Sequence, residues 1–168
     1  SRELVLKKKV YELFNHIGGL NRDVMSTMNF DNFDIHGMNA DKEERDSLKR
    51  ALEAARQFAQ VPEDWLVMVG PPGSGKTHLA AAVANHQIEH RRSVLFASVP
   101  ELIEQLAPNF GNDSKRPNFI SLDRIKSCPL LICDDLSIES ATTRAKEKLK
   151  QIINYRYNAR YPTVITIT

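Results

Sequence analysis

Two short runs in this chain hold residue types that can bind and attack a polyphosphate. The first is Gly70-Pro71-Pro72-Gly73-Ser74-Gly75-Lys76-Thr77, which fits the spacing GxxxxGK[ST] at every fixed position. A triphosphate crowds negative charge onto neighbouring oxygens. Backbone N–H groups must converge on it, and side chains would block that approach, so Gly70, Gly73 and Gly75 stay bare. Lys76 can reach the outer phosphates, and the Thr77 hydroxyl is a hard oxygen ligand suited to Mg²⁺. The second run is Leu130-Leu131-Ile132-Cys133-Asp134-Asp135, an apolar strand tipped by two acids. Asp134 can hold Mg²⁺ through water, and Asp135 can orient or deprotonate a water that attacks a γ-phosphate. Each run has a plain reading, a Gly/Pro turn or a strand-to-loop step. Together they point to nucleoside triphosphate chemistry.

These residues need a strand and a helix to hold them. The apolar residues Leu66, Val67, Met68 and Val69 supply a strand before the glycine loop, and His78 to Ile88 a helix after it. The free N–H groups and positive end of that helix face the phosphates. The phosphate-binding set is therefore Gly70, Pro71, Pro72, Gly73, Ser74, Gly75, Lys76 and Thr77, with His78 next to it. The acid-tipped strand, if parallel, aims its end at the same crevice.

The rest of the chain is ordinary globular sequence. Its 168 residues are enough for one domain with a core, and a net charge of +2 does not by itself indicate nucleic acid. The two cysteines, Cys128 and Cys133, suggest no disulfide framework and no zinc site, which suits a reducing, cytoplasmic setting. No run is long enough to span a membrane as a helix.

In chain order, residues 3–17 read as an amphipathic helix with Leu6, Val10, Leu13, Phe14 and Ile17 on one stripe, stopped by Gly18-Gly19. The run Lys7-Lys8-Lys9 beside it is a solvated face or a DNA or partner contact. Residues 20–40 lack a period. Phe30 suits packing, while Phe33 and Ile35 suit either packing or the wall of an adenine site. Asp41 to Gln60 is a helix opened by Asp41 and Glu44 as a capping box. A strand over Val94 to Ala97 and a helix from Pro100 come after the phosphate-loop helix. Pro108 to Asn118 reads as a mobile loop, with Lys115-Arg116 a candidate phosphate-backbone contact, and 118–127 as a short helix. Ser140 to Asn158 forms another helix, and Thr163 to Thr168 a last strand. The helix ends in Tyr155, Arg156, Tyr157, Arg160 and Tyr161; its arginines suit a helix C-terminus or a neighbouring subunit's phosphates. The order predicts an α/β fold, a parallel sheet with right-handed crossovers. Residues 1–40 read as an N-terminal helix and linker, and 41–168 as the ATP-binding core.

Four segments carry a resemblance to a known family. Phe30-Asp31-Asn32-Phe33, GPPGSGKTHLAAAVAN at 70–85, LLICDDLSIESAT at 130–142 and QIINYRYNARYPTVIT at 151–166 resemble the DnaC/DnaI/IstB group of AAA+ ATPases. That group comprises bacterial replicative helicase loaders and transposition helper ATPases. The resemblance implies a P-loop NTPase fold of AAA+ type, ATP and Mg²⁺, and homo-oligomers. It also implies contact with single-stranded DNA and with a replicative helicase or a transposase. By position, it makes Thr77 and Asp134 the metal residues, and Lys76 and Asp135 catalytic. Thr168 stands at the sensor of the γ-phosphate. Asp135 stands where many AAA+ proteins have Glu, Thr168 where this group often has Asn, Ser137 where it has Gly and Arg144 where Trp is frequent. The chain stops at the sensor strand, before the family's fifth strand, arginine finger and helical lid. The expectation is therefore of an incomplete core whose fifth strand would have covered the edge of the first, and of ATP hydrolysis belonging to the full-length protein. A nucleotide-binding adaptor without turnover is the alternative from another class. A small-molecule phosphotransferase would need a basic lid that the sequence lacks.

Overall fold

The computed structural model describes residues 14–37, 39–106 and 119–168, together with 2 and 5. The strands are β1 (Phe14–Ile17), β2 (Trp65–Val69), β3 (Val94–Ser98), β4 (Leu131–Asp134) and β5 (Thr163–Ile167). They form one sheet in the order β1-β3-β4-β5-β2, and every pairing is parallel. The helices are α1 (Arg22–Ser26), α2 (Lys42–Gln60), α3 (Lys76–Glu89), α4 (Val99–Leu106), α5 (Leu122–Ser127) and α6 (Thr143–Asn158).

Both faces of the sheet are covered, which is why its inner strands read as apolar runs. Val94, Phe96, Ile132 and Val164 point to one side and meet Met25 of α1, Ala55 and Ala59 of α2, and Leu79 to Ala81 of α3. Leu95, Ala97, Leu131, Cys133 and Ile165 point to the other, against Leu102 of α4, Ile125 of α5, and Leu149 and Ile152 of α6. Helix α3 is the most enclosed, with Leu79 through Ala84 all buried. Its alanines let α2 and the sheet approach closely from either side. The capping box of α2 is present: Asp41 Oδ1 accepts the Glu44 N–H at 2.9 Å, and Glu44 Oε2 accepts the Asp41 N–H at 3.0 Å. Among the described residues, no helix is long and apolar enough to cross a membrane.

Three readings of the sequence need correction or fall outside what is described. The helix expected over 3–17 does not reach its end, because Phe14–Ile17 is a strand that pairs in parallel with Val94–Ala97. Phe14 and Ile17 satisfy a helical stripe and also suit opposite faces of a sheet. The exposed ladder groups of β3 decide between them, since hydrogen bonding to a ready sheet edge outweighs a weak local preference. Most of the remainder of that segment, including Lys7-Lys8-Lys9, lies outside the described residues, as does the loop Pro108 to Asn118 with Lys115-Arg116. Arg156, offered as a residue that reaches another subunit's phosphates, is instead wholly buried beneath α6. Its guanidinium donates to the carbonyls of Cys128 at 2.7 Å, Lys126 at 3.1 Å and Pro162 at 2.6 Å.

Strand β2, which leads into the glycine loop, is the other edge of the sheet. Its Val67 and Val69 are exposed.

Candidate functional site

In a parallel sheet all strands end on the same side, so the C-terminal ends of β2, β4 and β5 meet at one crevice. The glycine loop leaves β2 there. The Gly70 N–H donates to the Ile167 carbonyl of β5 at 3.1 Å, and the Ser74 N–H to the Pro71 carbonyl at 3.2 Å. Gly75 caps α3 with φ +95, and no side chain bonds to the helix's first N–H groups. Those donors and the positive end of a 14-residue helix make an anion site. Lys76 turns back over the loop, with Nζ donating to the carbonyls of Gly70 at 2.6 Å and Pro71 at 2.8 Å and to Ser74 Oγ at 3.3 Å. The ammonium is thus held beside the loop.

The acids approach from β4. Thr77 Oγ1 donates to the Asp134 carboxylate, at 3.0 Å to Oδ2 and 3.1 Å to Oδ1. Residues 57 positions apart are thereby brought into one cluster. Asp134 is buried, whereas the Asp135 side chain is exposed on a left-handed backbone with φ +60. Thr166 of β5 binds both. Its hydroxyl donates to Asp134 Oδ1 at 2.7 Å and accepts the Asp135 N–H at 2.8 Å. The motif reading did not find Thr166, because nothing local says that β5 lies between β4 and β2. A threonine inside an apolar strand was the signal available. Thr168 is exposed, one residue past the end of β5.

The segment before α2 reaches the site from the opposite side. His78 Nε2 donates to the Asn29 carbonyl at 2.8 Å and lies 3.1 Å from Asn32 Oδ1. Asn85 Nδ2, two turns along α3, donates to the carbonyls of Met25 at 2.8 Å and Met28 at 2.6 Å. The strap so fixed sets Phe33 edge-on to the His78 ring, with centroids 5.3 Å apart. Phe33 lines an open cleft of about 910 Å³ with the glycine loop, β2, and Glu44, Leu48 and Ala51 of α2. Ile35 is half-buried and is not part of that lining. Phe30 packs against the core, with Arg56 above its ring at 5.5 Å. A flat side chain, an apolar wall and an adjoining anion site can take a base joined to phosphates.

The chain is similar to known proteins along most of its length. Residues 21–168 match the family described as "IstB-like ATP binding protein". "Replicative helicase loader DnaC" of Buchnera aphidicola (subsp. Acyrthosiphon pisum) is 26% identical over 145 residues, covering 84% of this chain and 56% of that protein. "Putative insertion sequence ATP-binding protein y4pL" of Sinorhizobium fredii is 33% identical over 125 residues, covering 70% of this chain and 49% of that protein. The crystal structure of DnaI superposes with a TM-score of 0.68 at 29% identity, covering 95% of this chain and 78% of that one. This chain spans about half the length of the curated relatives it matches. The sheet and its flanking helices are those of a P-loop NTPase of AAA+ type. By the extent of that match, the chain belongs to the IstB-like ATP binding protein family.

Proposed function

We propose that this chain is the ATP-binding core of a Mg²⁺-dependent ATPase that loads a replicative helicase. The observation that carries the reading is the Thr77–Asp134 contact beside the uncapped N-terminus of α3. A hydroxyl and a carboxylate at the mouth of an anion site are the hard oxygen donors that Mg²⁺ takes alongside substrate phosphates. Thr77 and Asp134 would hold the ion, and bound Mg²⁺ neutralises charge between the outer phosphates.

The remaining roles belong to the chain's own side chains. The N–H groups from Gly73 to Thr77 bind the phosphates, and Lys76 exchanges its two loop carbonyls for their oxygens. Asp135, exposed at the crevice, orients or deprotonates the attacking water. Phe33 contacts the base. Thr168, one residue past the end of β5, would sense the γ-phosphate. His78 serves by fixing the strap that carries Phe33.

The relatives named as helicase loaders support a helicase as partner. Single-stranded DNA, ATP-linked homo-oligomers and a cytoplasmic setting complete the proposal. The test is ATP hydrolysis by the full-length protein, with and without single-stranded DNA, beside Lys76→Ala. DNA-stimulated turnover that disappears in the variant is expected. Binding without turnover under both conditions would leave a nucleotide-gated adaptor.

A second reading keeps the ATPase and changes the partner. The 33% identity to the insertion-sequence protein favours a transposition helper. Capture from a lysate separates the two: a replicative helicase retained in an ATP-dependent way supports the first, a transposase the second.

A further inference from the structure

Thr166 belongs to neither motif, yet only 1% of it is exposed and it touches both acids. A threonine hydroxyl has one proton to give. Here it goes to Asp134 Oδ1 at 2.7 Å, and the oxygen's lone pairs accept the Asp135 N–H at 2.8 Å. The Thr166 carbonyl accepts the Leu136 N–H at 2.8 Å. One residue of β5 therefore grips three successive positions where the chain leaves β4. The middle position, Asp135, carries φ +60, a left-handed backbone that a residue other than glycine keeps only where its surroundings hold it.

The grip extends to the glycine loop. β5 lies between β4 and β2, and the next residue along it, Ile167, accepts the Gly70 N–H at 3.1 Å. Asp134 meets Thr166 on one side and Thr77 on the other. The rotation of its carboxylate is thereby set by two hydroxyls, one from the strand and one from the phosphate-loop helix.

We infer that Thr166 is the positioning residue of the acid pair, its hydroxyl fixing the Asp134 carboxylate against Thr77 and the backbone of Asp135 at the same time. The inference rests on the nucleotide reading proposed above. A threonine that only satisfied a buried carboxylate would affect stability and leave metal-dependent binding alone.

The experiment measures the affinity of the full chain for a fluorescent ATP analogue, in EDTA and in Mg²⁺, for wild type, Thr166→Val and Thr166→Ser. Amide exchange at Asp135 is followed in parallel. Thr166→Val should keep its affinity in EDTA and lose about tenfold of the gain that Mg²⁺ brings, the scale of one hydrogen bond to a charged group. Its Asp135 N–H should exchange faster. Thr166→Ser, which keeps the hydroxyl, should restore both. Thr166→Ala removes the same hydroxyl and takes the place of Thr166→Val if the latter does not fold. A full Mg²⁺ gain in the folded hydroxyl-less variant would overturn the role of Thr166 and leave the nucleotide reading standing. No Mg²⁺ gain in wild type would overturn the nucleotide reading itself, and this inference with it.

Discussion

The ring of Phe33 occupies the space that a side chain on Gly75 would need. A Cβ built there would meet Phe33 Cε2 at 2.6 Å, and Gly75 itself has φ +95. The glycine is thus required twice, by the turn into α3 and by the ring across it. Gly75→Ala must either move Phe33 or bend the loop, and the left-handed backbone alone is worth roughly 1–3 kcal/mol. The expected outcome is a lower melting temperature and at least about tenfold weaker ATP binding, since 1.4 kcal/mol is tenfold. Thermal melts and nucleotide titration check both.

The strap that carries Phe33 gives a separate expectation, about the base alone. Phe33→Ala removes a ring from the cleft wall but leaves every loop N–H and Lys76 in place. His78→Ala cuts the hydrogen bond to the Asn29 carbonyl that holds the strap, for about 1 kcal/mol. Both variants should weaken ATP binding severalfold and leave inorganic tripolyphosphate, which has no base, bound as before. Equal losses for the two ligands would show that the strap shapes the phosphate loop instead.

Asp135 can be tested without disturbing its turn. Its side chain is exposed and its backbone is left-handed, a conformation that asparagine tolerates well. Asp135→Asn should therefore shift stability by no more than about 0.5 kcal/mol. It should keep nucleotide affinity and lower the hydrolysis rate of the full-length protein by about 10²-fold or more. Single-turnover hydrolysis beside a binding titration makes the comparison.

The phosphate loop and the acid-tipped strand could be read in advance because their chemistry is local. Phosphate binding needs bare glycines, a lysine and a hydroxyl within eight positions, and those positions are contiguous. The capping box of α2 was legible for the same reason. What escaped depends on which strands become neighbours. Thr166 meets Asp134 only because β5 inserts between β4 and β2. Phe14–Ile17 is a strand only because β3 offers an edge. Arg156 lay in a basic, tyrosine-rich helix end, and nothing local distinguished a buried guanidinium from an exposed one.

Arg156 accordingly carries a prediction about stability. Beyond the carbonyls of Cys128, Lys126 and Pro162, and that of Ile125 at 3.4 Å, it donates through Nε to Thr163 Oγ1 at 3.0 Å, so it bridges α6, the turn after α5 and the start of β5. Its partners are carbonyls, a hydroxyl and the Cys128 Sγ at 3.4 Å, and burial pulls its pKa below the ordinary arginine value. The nearby thiols do not balance its charge, because burial pushes Cys133 up to about 12 and raises Cys128 as well. Arg156→Met fills similar space but strands those acceptors, which should remove about 3 kcal/mol. For a chain of this size that lowers the melting temperature by roughly 6–12 °C. An unchanged melting temperature would mean that the carbonyls find other donors.

His86 on α3 makes stability depend on pH. His86 and His90 stack with centroids 4.2 Å apart, and His86 Nδ1 is buried without a hydrogen-bond partner. Burial lowers the His86 pKa from 6.5, first of all; His90 and Arg92 push the same way, while Glu89 and the Ala59 carbonyl oppose them. The folded chain therefore takes up this proton less readily than the unfolded one. Stability from the neutral ring is fully present above 6.5 and is lost as pH falls from there through the lower folded value. Between about pH 7.5 and 5.5 most carboxylates stay ionised, so the His86 contribution stands out. Melting temperature should fall over that window in wild type and fall less in His86→Gln, which keeps a neutral polar side chain. Equal slopes for the two proteins would remove His86 from the explanation.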